Sequence, residues 1–150
     1  MNLSKVNDSV ILSEYVKRFT LPPGTEYIKQ SKTAADHCRA YLSGAARREM
    51  FLVCFLNSQN QVITTEVLFE GTLNTSAVYP REVVERVIAL GCGSLILCHN
   101  HPSGCTTPSS SDRAVTRKLQ KAMEAIDVQI LDHIILGGSE FFSFADHRLI

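Results

Sequence analysis

Near residue 100 an apolar run, Ser94-Leu95-Ile96-Leu97-Cys98, passes straight into His99-Asn100-His101 and is stopped by Pro102-Ser103-Gly104. The run reads as a buried strand with a turn at its end. Alternate side chains of a strand share a face, so His99 and His101 can both reach one ion. A third ligand must come from elsewhere, and Asp112 is placed to supply it. A short loop passes Pro108, and Ser109 opens an amphipathic segment whose first turn carries Asp112. Two imidazoles and a carboxylate match an open zinc site, in which three protein ligands leave the fourth tetrahedral position to water. The same residues have a plainer reading. Ser109 and Asp112 also have the spacing of a capping box, and two histidines beside a turn can be ordinary surface residues.

The full spacing is more specific than any part of it: His99, one residue, His101-Pro102, six residues, Ser109, two residues, Asp112. It resembles the second part of the signature of JAMM metallopeptidases, the MPN+ (JAB) domain group. Around that core, His99 to Gly104, Glu70-Gly71-Thr72-Leu73, Tyr79-Pro80-Arg81-Glu82 and Leu131-Asp132-His133 resemble the RadC-like branch of the group. The likeness runs from about Thr33 to the C-terminus. It implies an α/β fold, a mixed curved β-sheet flanked by helices in a three-layer, cytidine-deaminase-like arrangement. It further implies one Zn²⁺ per chain, held by His99, His101 and Asp112, and hydrolysis of peptide or isopeptide bonds in a peptide or protein substrate.

Such chemistry needs a general base beside the water. JAMM enzymes supply it from a Glu just before the first core strand, which carries over to Glu49, ahead of Met50-Phe51-Leu52-Val53. Glu66 and Glu70 compete for the role, and Glu49 read alone is an exposed acid in a charged run. In the family pattern Ser109 stabilises the oxyanion with its hydroxyl, a role compatible with capping a helix. Many deubiquitinating relatives carry Ser or Thr between the histidines; Asn100 here argues against ubiquitin-type substrates rather than against metal. Full-length RadC proteins carry a helix-hairpin-helix segment ahead of this domain, and too few residues precede Thr33 to hold one. The competing function is a DNA-repair-associated or protein-binding accessory module with a non-catalytic metal site.

Charge bears on that alternative. Fifteen basic and fifteen acidic side chains give a formal net charge of zero, so no electrostatic case for nucleic acid follows, and DNA binding is expected to be weak or absent. Arg47-Arg48 and the Arg113, Arg117, Lys118, Lys121 series read as solvated surface. Five cysteines without regular spacing sit mostly in apolar runs, which favours a reducing compartment. With no apolar leader after Met1 and no membrane-spanning run, the expected location is cytoplasmic. Cys98 adjoins His99 on the strand and must face away from it, and Cys105 would need an unusual loop to displace Asp112.

A chain of 150 residues, 45% of them hydrophobic, suits one core. Residues 1–30 read as an N-terminal extension with a short helix at about 11–19, available for packing or for self-association into a homo-oligomer, and residues 31–150 as the JAB-like domain. The expected elements are a helix at 33–45 capped by Thr33 and Asp36, a hairpin of strands 51–56 and 62–69, and a helix between Pro80 and Gly91 with Val83, Val84, Val87 and Leu90 inward. Strand 94–98 follows, then a helix at 109–126 burying Val115, Leu119, Ala122 and Ile126, and strands 129–136 and 140–144. His133, on the face opposite Asp132, is expected to support either the fold or the metal ligands from behind, and His37 and His147 to lie at the surface.

Overall fold

The computed structural model describes residues 7–22, 30–43, 47–72 and 77–150. Two helices, α1 (Asp8–Phe19) and α2 (Ser31–Tyr41), precede a hairpin of β1 (Met50–Leu56) and β2 (Val62–Glu70). Then come α3 (Pro80–Leu90), β3 (Ser94–Asn100), α4 (Ser110–Glu124), β4 (Gln129–Gly137) and β5 (Glu140–Ser143). The strands form one mixed sheet in the order β2-β1-β3-β4-β5. Only β3 and β4 are parallel, joined by α4 as the crossover that a parallel pair requires.

Period-two alternation sorts the strand side chains onto two apolar faces. Phe51, Val53, Phe55, Leu95 and Leu97 face one way and pack with Val83 and Val87 of α3 and Val115, Leu119 and Met123 of α4. Leu52, Cys54, Leu56, Ile96, Cys98 and Ile134 face the other way, against Ala34, Ala35 and Cys38 of α2. The result is the expected α/β layering, with helices on both faces of the sheet.

Local chemistry explains most boundaries. Pro80 opens α3, and Gly91 closes it in the left-handed region at φ 63°. In the hairpin Asn57 Oδ1 accepts from the Gln59 and Gln61 amides, both at 2.9 Å. Three expectations fail. The second helix begins at Ser31 after Gln30, so Thr33 and Asp36 do not cap it; Asp36 instead pairs with Lys32 at 2.7 Å. The same helix ends at Tyr41 with Leu42 as its C-cap, short of the expected Ala45, which lies outside the described residues, as do Pro23 and Gly24 of the turn after the first helix. The helix from Ser110 ends at Glu124, so Ile126 leaves the buried stripe and is 36% exposed while Met123 is buried. His37 is buried, not superficial: its Nδ1 accepts from the Leu21 amide at 2.8 Å and its Nε2 bonds Thr65 Oγ1 at 2.9 Å. His147 is exposed, stacked on Phe142.

Candidate metal centre

Strand β3 runs two residues further than its apolar run because its edge stays paired. Asn100 aligns with Leu136 of β4, and the His101 amide donates to the Leu136 carbonyl at 2.7 Å. His99 and His101 therefore keep their strand spacing, and their Nε2 atoms lie 2.9 Å apart. Phe51 pairs antiparallel with His99, and Glu49, just ahead of β1, comes close to His101. Glu49, His99 and His101 bring ligand-type atoms within 4.8 Å of one another, a group able to hold a metal ion.

Asp112 reaches the same nitrogens from α4, with Oδ1 3.1 Å from His99 Nε2 and Oδ2 3.3 Å from His101 Nε2. The capping box aims it. The Ser109 amide donates to Asp112 Oδ2 at 2.7 Å, and Ser109 Oγ accepts from the Asp112 amide at 3.0 Å. The plain and the chemical readings of Ser109 and Asp112 thus describe one device, in which the helix N-terminus also favours the carboxylate's negative charge. A tetrahedral zinc with ligand bonds of about 2.0–2.1 Å separates its ligand atoms by about 3.3–3.4 Å. The observed 2.9, 3.1 and 3.3 Å are close to that spacing, so the donor set fits such an ion.

Proton placement supports the fit. His101 Nδ1 lies 2.7 Å from the Cys105 carbonyl, which can only accept, so Nδ1 carries the proton and a neutral His101 presents a bare Nε2 lone pair. Burial pulls the Asp112 carboxyl upward, but the adjoining His101 and His99 imidazoles and the Ser109 amide outweigh it and hold it well below the usual carboxylate range. His101 is shifted up by Asp112 against the effect of its own burial. A proton shared between them occupies the place a cation would take.

The remaining candidates fall into distinct places. Glu66 is engaged by Arg86, whose Nε donates to it at 2.9 Å, and Glu70 is exposed beside Arg48 at 3.8 Å. Cys98 turns into the opposite face, and Cys105 is exposed. Asp132 turns away from His133, accepting from Ser143 Oγ at 2.6 Å and the Ala145 amide at 3.0 Å. Arg113, Arg117, Lys118 and Lys121 are all exposed.

Two residues gain roles that sequence reasoning missed. Asn100 Oδ1 accepts from the Met50 amide at 2.8 Å while its Nδ2 donates to the Arg48 carbonyl at 2.9 Å, bracketing Glu49 from both sides. Gly137 lies under the loop that carries His101: a Cβ there would stand 2.5 Å from the Gly104 carbonyl oxygen. A cleft of about 450 Å³ opens beside His101, lined also by Tyr15, Arg39, Leu42, Asn100 and Pro102. No helix among the described residues is long and apolar enough to cross a membrane.

Comparison with known proteins places the chain in a family. A UPF0758 protein of Vibrio vulnificus (strain YJ016) is 48% identical over 121 residues, 79% of this chain and 54% of that protein. One of Photobacterium profundum is 49% identical over 117 residues, 76% of this chain and 52% of its own length. The UPF0758 protein YfjY of Escherichia coli (strain K12) is 42% identical over 120 residues, 80% of this chain and 74% of its own length. The chain spans about half the length of most of the curated relatives it matches. The RadC-like JAB domain family matches residues 28–149, and the chain belongs to it.

Proposed function

We propose that the chain is a zinc-dependent hydrolase that cleaves a peptide or isopeptide bond. The observation that carries this reading is the convergence of His99 Nε2, His101 Nε2 and the Asp112 carboxylate within 3.3 Å of one another, with His101 also on the wall of a cleft. In this reading those three residues hold the ion. When bound, zinc acts as a Lewis acid that acidifies water and polarises a carbonyl.

Glu49 is the general base rather than a ligand. Asp112 is buried and fixed by the capping box, whereas Glu49 is half-buried and sits on the approach beside His101, which suits a group that moves a proton. Glu49 takes the proton of the attacking water and passes it to the leaving amine. The Ser109 hydroxyl accepts from the Asp112 amide through its oxygen and keeps its own proton to donate to the developing oxyanion. In this reading substrate reaches the ion past His101, which the cleft between the end of α2 and Pro102 exposes. The cytoplasm is the compartment that matches five free thiols. A neutral overall charge supports a protein substrate over DNA.

The test couples metal analysis with a peptidase screen. One zinc per chain, lost in His99→Ala, His101→Ala and Asp112→Ala, together with cleavage of a peptide or isopeptide library, is the expected result. Equal zinc content in wild type and the triple variant would contradict the site. Stoichiometric zinc without cleavage of any library member would favour the accessory module.

A further inference from the structure

Among the described residues the proposed ligand nearest the core, His99, has neither a carbonyl nor a carboxylate on its second nitrogen. Its Nδ1 lies 2.8 Å from Nε2 of His133, which is fully buried and sits on β4 behind it. His133 Nδ1 in turn lies 2.6 Å from Thr116 Oγ1 on α4. Thr116 Oγ1 donates to the Asp112 carbonyl one helical turn back, at 2.7 Å.

The directions of these bonds follow from counting protons. A hydroxyl has one proton, and that of Thr116 is used on the Asp112 carbonyl, so Thr116 accepts from His133 Nδ1–H. No carboxylate hydrogen-bonds the His133 side chain among the described residues, and Phe51 and Phe144 pack against its ring, so the imidazole is neutral and its Nε2 must accept. His99 then donates from Nδ1, and its Nε2 is left as a bare lone pair aimed at Asp112 and His101.

We propose that Thr116 and His133 are positioning residues that fix the tautomer of His99 and so hold its Nε2 ready for a metal ion. The relay begins and ends on the same residue, since the carbonyl that orders Thr116 belongs to Asp112, whose side chain faces His99. The backbone of the carboxylate ligand thereby sets the proton position of the histidine ligand. The proposal rests on the metal reading above, to which it adds two residues that do not touch the ion. Partners of this kind commonly matter by about 10- to 100-fold in metal affinity.

The shape of each side chain can be kept while its polarity is removed. Thr116→Val takes away the acceptor for His133 Nδ1–H, whereas Thr116→Ser keeps the hydroxyl. His133→Phe fills the slot between Phe51 and Phe144 but leaves His99 Nδ1–H without an acceptor. Zinc affinity is measured for wild type and the three variants by competition with a chromophoric chelator, with circular dichroism to confirm folding. Long-range ¹⁵N–¹H spectra of the imidazoles are recorded on metal-free wild type.

The expected result is a zinc affinity about 10- to 100-fold lower in Thr116→Val and His133→Phe, with Thr116→Ser close to wild type. The spectra should place the His99 proton on Nδ1 and leave Nε2 unprotonated. Folded Thr116→Val and His133→Phe proteins that bind zinc as tightly as wild type would overturn the proposal, as would a His99 proton on Nε2. If wild type binds no zinc, the metal reading fails, and the tautomer in the metal-free protein still decides the relay. If the variants do not fold, the wild-type spectra decide it in the same way.

Discussion

The two faces of β3 both bury residues of the types that bind zinc, and only one of them is arranged as a metal site. On one face His99 meets His101 and Asp112, and each group is held from behind by a further hydrogen bond. On the other, Cys98 joins Cys38 and Cys54, whose sulfurs lie 3.9 Å apart in the apolar layer under α2. The adjoining Cys38 thiol and burial push the Cys54 thiol well above its ordinary value. Cys38 is drawn down by its bond to Cys54, but the Cys98 thiol and burial outweigh that pull. The Cys38 and Cys54 thiols stay protonated, and a thiol binds metal as the thiolate. They pack as small hydrophobes. Ligand-type side chains make a site only where the surroundings set out lone pairs and leave a way in.

The largest expected difference is therefore between faces. His99→Ala should abolish stoichiometric zinc binding, while Cys38→Ala and Cys54→Ala should leave it unchanged, as read by metal analysis of folded protein. Retained zinc in His99→Ala with loss in the cysteine variants would reverse the comparison.

Glu49→Gln separates holding the ion from using it. Zinc content and fold should persist, and any hydrolytic rate should fall by a factor on the order of 10² or more. Full activity in Glu49→Gln with loss in Glu70→Gln would move the base to Glu70.

Proton competition should give about a tenfold change in zinc affinity per pH unit where one proton is displaced. The sign follows from two opposite shifts. Asp112 raises the His101 pKa, so the imidazolium–carboxylate pair stabilises the metal-free fold below the unfolded histidine value and loses that contribution as pH rises through the higher folded one. The Asp112 pKa is depressed, so on the acid side the pair is lost only as pH falls through that lowered value. Zinc must displace the proton held between these limits, and calorimetric titrations should show affinity rising with pH and protons released on binding. Affinity independent of pH would exclude a shared proton.

The smallest effect sharpens the comparison at a distance from the ligands. Gly137→Ala forces a methyl to within 2.5 Å of the Gly104 carbonyl oxygen, so the loop carrying His101 must lift. A loss of about 1–3 kcal/mol in stability is expected, with weaker zinc binding, measured by thermal denaturation with and without metal. Gly138→Ala is the control for crowding. A Cβ there meets nothing within 4 Å, although φ of 56° adds backbone strain.

Much of this arrangement was legible in the sequence. The apolar run into His99-Asn100-His101, the Ser109 and Asp112 spacing, and the Pro80 and Gly91 bounds are local signals, and each element stands close to where its pattern put it. What was not legible depends on which strand lies beside which. Glu49 approaches His101 because β1 pairs antiparallel with β3, a pairing that residue pattern did not reveal; the choice of Glu49 rested on the family resemblance. His133 and Thr116 come from separate elements, and their link to His99 has no periodic signature. Gln30 offers no capping hydrogen bond from its side chain, so the start of α2 was displaced by two residues. A single helical histidine such as His37 does not announce in the sequence the Thr65 hydroxyl on the facing strand that satisfies it.

The central claim is that the His99 face, and not the thiol face, holds the ion. X-ray absorption at the zinc edge of the stoichiometric wild-type complex tests it most directly. The account predicts only nitrogen and oxygen neighbours at about 2.0–2.2 Å, with the outer-shell scattering of two imidazoles. A sulfur shell at about 2.3 Å would contradict it.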